Sequence, residues 1–472
     1  MPPVIAAVAT FAVTVGHAIA GALAVVSAFA AAHPILWAVG KIAISIGASL
    51  LMSASAKKKA GQLNQGSQLS LKLDPAMPRQ IPLGYIATGG SGVYAWTYTD
   101  NVDVPNKYLV RVISLSDVPI NAITAVKEGD QTLAFTGDIT TDLRPCTTHL
   151  DKDGQPHMWL KVHLGSYTPT ADSWLIAHEP NSAWTSDHKG VGQAYAIVVY
   201  ELDADGDAFP NGEPQIYFVV EGAKVYDQRY DSTRSSPTRT GSQRLDDPTT
   251  WVYSENTSVL LQQVMRGFTL NGKLLMGAQA EDRDLPDDML LSAYNICDET
   301  VTNADASTEA RYRSGYILQS IDPTQTAISE LANAMDGDVF DRGGIITILP
   351  GKGRSIIMDL DDTDIVWTDE KSYQPEASLD ALYNTVIGSY INSAAGFTQA
   401  PYPIRTDADF ITDDGGERIV MNRDFGAIVY GTQCQRVTAR LLAKSRFQAV
   451  VGFVGPLWLW ELEQGDWFTL TS

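Results

Sequence analysis

Five of the seven histidines, His149, His157, His163, His178 and His188, fall with Cys146 between residues 146 and 188. Imidazole and thiolate are the usual zinc ligands, and Cys146 with His149 has the C-x2-H spacing of half a structural site. No second close ligand pair follows, so these side chains are expected to be satisfied locally in strands and loops. Asp203, Asp205 and Asp207 open like a calcium loop. An EF-hand needs Gly at the sixth position and Glu at the twelfth, where this chain has Ala208 and Pro214. At most a looser surface site is left. Asp287-Asp288 and Asp361-Asp362 are the residue type for acid–base work on glycosides, but no aromatic cluster stands beside them to hold a sugar. There is no G-x-S-x-G, no H-E-x-x-H and no Walker loop; Gly351-Lys352-Gly353-Arg354-Ser355 lacks the rest of a phosphate loop. No catalytic residue and no cofactor is expected.

The elements that would position such groups read as strands. The chain has 472 residues, room for two to four domains. Its 38 Gly and 23 Pro fall mostly after residue 60, between short apolar runs. The fold class expected is mainly β with α+β elements. "RQIPLGYIATGGSGVYAWTYTD" and "KYLVRVISLSDVPINAITAVKEGDQTLAF" read as a meander of strands. "GVGQAYAIVVYEL" and "PQIYFVVEGAKVY" read as two more, joined by a loop too long for a tight hairpin. "SVLLQQVMRGF" and "DDMLLSAYNICDET" read as short helices. "DPTQTAISELANAMDGD" is the clearest helix, with Asp322 as its cap, Ile328, Leu331 and Met335 on one face, and Gly337 at its end. A strand is expected in "GGIITILPGKG" and a helix over 431–446. Residues 231–250, rich in Ser, Thr and Arg, read as an exposed loop or boundary. The last segment reads strand, turn, strand, ending without a partner strand; the expectation is a longer polypeptide of which this is the N-terminal part.

The net charge is −21. Four lysines (Lys41, Lys57, Lys58, Lys59) and no acid lie in residues 1–60, so the rest is more acidic still. Such a surface repels phosphate backbones, which excludes direct nucleic-acid binding. Three scattered cysteines (Cys146, Cys297, Cys434) make no disulfide framework and fit assembly in a reducing cytoplasm.

Residues 1–40 contain no charged side chain. Val4 to Ala32 is long enough to cross a bilayer, and a second apolar stretch runs from Pro34 to Ala56. The run starts uncharged and is too long for a signal peptide. Small residues, Gly16 and Gly21 among them, favour close helix packing, with Phe11, Phe29 and Trp37 as bulkier members. Helices apolar all round must be buried in something. They form either a membrane hairpin or a bundle of several subunits inside an assembly.

Taken in order, the segments resemble the tail-tip hub proteins of long-tailed bacteriophages, the tip attachment protein J-like family. Arg79, Gly84, Gly89 and Gly90 fit the family's opening Arg-x-x-x-Tyr-Gly-x-x-x-x-Gly-Gly, with Leu83 where Tyr is usual. The most specific block is 184–227. Trp184, Asp187, His188, Gly190, Gly192, Ala194 and Tyr195 match a family run, as do Phe209, Pro210, Gly212 and Pro214. Gly222, Lys224, Val225, Tyr226 and Asp227 close it. Downstream, Asn384 in "ALYNTVIGSY", the helix at 431–446 and Gly465-Asp466 in "QGDWFTL" also fit.

The resemblance spans residues 75–472. It implies a non-enzymatic homotrimer at the distal tip of a phage tail, assembled in host cytoplasm as the baseplate hub. Two tube-like β domains per chain would let three subunits meet a six-fold tube. The implied partners are the distal tail protein and tail-tube ring, the tape measure protein, and a central tail fibre or other baseplate proteins. A host membrane joins them during genome delivery. The expected domains are 1–60 as lumen plug or membrane-active helices, a linker at 61–74, a β domain at 75–145, an inserted β domain at 146–230, a middle region at 231–320 and a second tube-like domain at 321–472. The rival expectation is a membrane-anchored surface protein whose β-rich body binds a ligand.

Overall fold

The computed structural model describes residues 77–99, 106–201, 208–209, 212–234, 239–341, 344–366, 372–375 and 382–471, except for the side chain of Asp288. The apolar head with Phe11, Gly16, Gly21, Phe29 and Trp37, the expected linker 61–74, Asp203, Asp205, Asp207 and Pro210 lie outside the described residues.

Runs of β-branched and aromatic residues between turn formers make the strands β1 Gln80–Thr88, β2 Ser91–Tyr98, β3 Tyr108–Ser116, β4 Ile120–Glu128, β5 Gln131–Leu133, β6 Arg144–Pro145, β7 Met158–His163, β8 Ala194–Glu201, β9 Ile216–Ala223 and β10 Gly315–Gln319. They form two sheets, ordered β10-β1-β9-β4-β5 and β2-β3-β8-β7-β6. All these pairs are antiparallel. Strands from either side of the expected 145/146 boundary pair with one another in both sheets, and the two sheets share one core. The consecutive strands β8 and β9 belong to different sheets, in keeping with a loop between them too long for a tight hairpin.

Ile113 and Leu115 of β3, Leu160 and Val162 of β7, and Ala196 and Val198 of β8 meet Phe218 and Val220 of β9 in the core between the sheets. β8 is buried along its length except at Glu201. Its second apolar face, Tyr195, Ile197 and Val199, lies under Leu175 of the short helix α1, Ser173–His178. That double cover explains a strand apolar at successive positions rather than alternate ones.

A second core gathers α2 Thr257–Arg266, α3 Asp287–Asp298 and α4 Thr324–Ala334. α2 is buried from Thr257 to Met265. Two more helices follow, α5 Ala408–Asp413 and α6 Gly431–Lys444. α4 starts one residue later than expected from the cap: Pro323 is the N-cap, without a side-chain hydrogen bond, and Asp322 does not cap it. The helix ends when Asp336 turns left-handed at φ 45°, and the Gly337 N–H returns to the Ala332 carbonyl. Asp336 then accepts from Arg440 and Lys444 at 2.8 and 2.9 Å, tying the end of α4 to α6.

The segment expected to be an exposed loop, 231–250, is in its described part pinned to the core. Asp231, Arg239 and Gln243 are buried. The Tyr226 hydroxyl donates to Asp231 at 2.7 Å, the Asp227 N–H to Gln243 at 2.9 Å, and Arg239 pairs with Asp287 at 3.1 Å. Asp231, Arg239 and Gln243 bury here on these partners, while Gly241, Ser242, Asp246 and Asp247 stay exposed.

Beyond α4 the sheets are small. Ile356–Asp361 pairs in parallel with Trp467–Thr471, and Ser372–Gln374 pairs antiparallel with Val450–Gly452. A short 3-10 helix, Leu457–Glu461, lies between. Among the described residues no helix is long and apolar enough to cross a membrane.

Candidate functional site

The histidines are drawn apart. His149 bonds Glu128 at 2.7 Å, and Cys146 is buried in the sandwich core. The structure therefore gives the C-x2-H pair two different environments. His157 meets Asp151 at 3.2 Å. His178 bonds the Trp174 carbonyl at 2.8 Å and stacks on that indole. His188 accepts from the Thr185 N–H at 3.0 Å, closing the turn that also carries Asp187. His163 reaches Asp172 at 2.8 Å and stacks on Tyr195. Among the described residues no group of three or more His, Cys, Asp or Glu side chains could hold a metal ion.

His163 shares Asp172 with a lysine and with the first turn of α1. The Asp172 side chain is fully buried; Lys161 donates to it at 2.7 Å, and it caps α1 through the Leu175 N–H at 3.0 Å. Burial opposes its charge, but the hydrogen bonds from His163, Lys161 and Leu175 outweigh that and hold the carboxyl well below the ordinary range. Burial pushes the Cys297 thiol up to about 12, which leaves no thiolate for nucleophilic chemistry. Asp287 is taken up by Arg234 and Arg239, and Asp361 caps Asp362–Asp364 through the Thr363 N–H. Asp287 and Asp361 are spent on structure.

The residues singled out by resemblance hold backbone in place. At Gly84, φ is +60°, and a Cβ there would collide with the Ser314 carbonyl; one on Gly222 would collide with the Pro82 carbonyl. Only glycine permits this crossing, where β1 leaves β10 and turns to β9: residues 80–84 pair with 319–315, and residues 85–88 with 221–218. Gly90, Gly190, Gly192, Gly212 and Gly465 also take positive φ in turns; the Gly90 N–H, after Gly89, bonds Thr88. Trp184 packs on Tyr94 and His188. Pro214 is buried, and the Lys224 N–H reaches the Pro119 carbonyl. Tyr226 and Asp227 anchor the segment described above. Asn384, fully buried, donates to Asp414 and to the Glu417 carbonyl and accepts from the Ile419 N–H. Asp414, hydrogen-bonded first by Arg446 and then by Asn384, is held down at about 2. Asp466 receives the Glu463 N–H.

What remains unpartnered is a surface. Ile356, Ile357, Tyr373, Phe447, Leu457, Trp458, Trp460 and Trp467 are exposed, Phe447 and Trp460 to 83%. Two-stranded sheets are marginal on their own, and these carry apolar side chains outward. A contiguous exposed apolar patch marks an interaction surface, and Leu457, Trp458 and Trp460 stand exposed together on one short 3-10 helix. The sequence predicts strand, turn, strand at the end of the chain, but Leu457–Glu461 is a 3-10 helix; the cluster Trp458, Trp460, Trp467 was the visible signal of the exposed residues.

Residues 323–472 match the family model described as "Putative phage tail protein". All eight of the exposed residues just named lie in that stretch. Among solved structures, the chain is similar to one from the virion of a native gene transfer agent particle, with a TM-score of 0.52 and 16% identity over 90% of each chain. At that identity the likeness is one of fold. No curated protein matches the chain.

Proposed function

We propose that this chain is a structural hub of a phage-type tail, a homotrimer closing the distal end of the tail tube. The observation that carries the reading is the tail-protein match at 323–472, which falls on the region with exposed Trp458, Trp460 and Trp467. Apolar surface of that kind suits permanent contact inside an assembly. The fold likeness to a virion chain across 90% of both chains supports the same reading. In this role the hub links the tube ring and the distal tail protein to a central fibre. Residues 1–60 plug the lumen beside the tape measure protein and enter the host membrane when the genome leaves. No chemistry is asked of the chain, in keeping with carboxylates and histidines committed to hydrogen bonds.

The test is gold-labelled antibody against residues 61–472, viewed by electron microscopy on particles and cell membranes from the source. It is run with the intact chain and with a chain lacking residues 2–56. Label at the far end of the tail, with infectivity lost in the truncated form, is the expected result. Label on membranes with bare tails would overturn the hub reading in favour of an anchored surface protein. Infectivity unchanged by the truncation would remove the plug.

A further inference from the structure

In the sequence no aromatic cluster stands beside the acidic run 281–288. The fold supplies aromatic neighbours to Asp282: a cavity of about 470 Å³ has Tyr167 and Trp251 in its wall together with Asp246, Arg266, Asn271 and Asp282. Every residue of that wall is described. The volume lies in the range of small-molecule sites, roughly 300–1,000 Å³.

The wall is held from behind. Asp282 receives Arg234 at 2.6 Å and Arg266 at 2.8 Å. Trp251 donates its indole N–H to the Arg244 carbonyl at 2.9 Å, which sets the ring. Asn271 sits in a two-residue turn with Gly272, at φ 51° and 72°, between the paired strands Phe268–Leu270 and Lys273–Met276. Other wall groups are open. Among the described residues the side chains of Asp246 and Asn271 have no hydrogen-bond or ion-pair partner, and neither has the Tyr167 hydroxyl. Burial pushes that phenol up to about 12, and a phenol so desolvated usually finds a partner.

These groups select a class of ligand. An anion would face Asp246 and Asp282 with Arg266 already spent. A metal ion would need a group of three ligands, and none exists among the described residues. A wholly apolar molecule would strand a carboxylate, an amide and a phenol. A sugar suits them all, since its hydroxyls both donate and accept and its C–H face lies against aromatic rings.

We propose that this cavity binds a neutral carbohydrate, with the sugar face on Tyr167 and Trp251 and its hydroxyls on Asp246, Asn271 and the Tyr167 hydroxyl. Asp282 is committed to two arginines, so Asp246 lacks the second free carboxylate that glycoside cleavage needs. The site binds without cutting. The inference stands independently of the tail reading.

The intact chain is titrated with neutral oligosaccharides of glucose, galactose, mannose and N-acetylglucosamine, free and as interior units of soluble polymers, and binding is read by saturation-transfer NMR. At least one is expected to bind with a Kd below about 10 mM. Asp246→Ala should weaken it about tenfold and Tyr167→Phe about threefold, with urea midpoints unchanged. Asp153→Ala, at an exposed position outside the cavity, should change nothing. Binding of the free form alone assigns the site to a diffusible sugar, and binding of the polymer assigns it to a polysaccharide; either supports the proposal. No binding by the whole set up to that concentration would overturn it, as would binding that both cavity variants leave intact. Inorganic phosphate or an acidic sugar bound more tightly than every neutral one would overturn it too.

Discussion

Asp172 collects His163, Lys161 and the first turn of α1 on one buried carboxylate. Its folded pKa lies below the ordinary 3.8. The stability it adds is therefore fully present above about pH 4 and is lost as pH falls through the lower folded value. Asn at this position keeps the helix cap and removes only the charge. Asp172→Asn is expected to cost about 3 kcal/mol at neutral pH, because it strands a partly buried lysine. The gap to the parent in urea midpoints should shrink steadily below pH 4; a gap constant down to pH 2.5 would show that charge is not the cause. The histidines illustrate what one chain of letters conveys. Their local satisfaction was the sequence expectation, and Asp151, Asp172, Trp174 and Thr185 do lie near His157, His163, His178 and His188 in the chain; the partner of His149, Glu128, comes from a more distant strand.

At the scale of elements, α2 was legible as a short helix from "SVLLQQVMRGF". Its burial on every side was not, since Gln262 and Gln263 look like a solvent face. Gln263 instead takes the Tyr226 N–H at 3.1 Å and gives to the Gly267 carbonyl at 2.9 Å, and Gln262 bonds the Tyr294 hydroxyl. The cap Asn256 receives the N–H groups of Ser258 and Val259 and donates to the Tyr294 carbonyl, all in the core. A cap on an exposed helix is worth about 1 kcal/mol. Here Asn256→Ala also leaves buried groups unpaired, so thermal and urea denaturation should report a loss of about 3 kcal/mol; a loss below 1 would mean water replaces the side chain. The start of α4 went the other way. Asp322 has the chemistry of a cap, yet Pro323 takes the position with its fixed backbone angle.

For the whole molecule, β1 joins the helical core, through Ile81 and Leu83, to the core between the sheets, through Ile86 and Ala87, and changes partner at Gly84. Against that packed body the exposed face at 447–468 has no stabilising role to lose. Phe447→Ser and Trp460→Ser, at positions 83% exposed, should each change unfolding free energy by no more than about 0.5 kcal/mol. If the face is an assembly surface, the same variants should be depleted from particles relative to the parent when particle protein is quantified. Variants that unfold early would instead make the face part of the fold.

By itself the sequence determined that this protein is built from strands, where most elements run, and that no familiar catalytic motif is present, because periodicity, turn residues and motif spacing are local properties of the chain. It also marked glycines such as Gly84 and Gly222 without saying why they were needed. Only the tertiary structure decided that β8 and β9 lie in different sheets, that the polar Arg239 and Gln243 pack against the core, and that Phe447, Trp458, Trp460 and Trp467 face outward. Those outcomes depend on which distant groups meet, and hydrogen-bond satisfaction and burial are properties of the pairings, not of the residues taken singly.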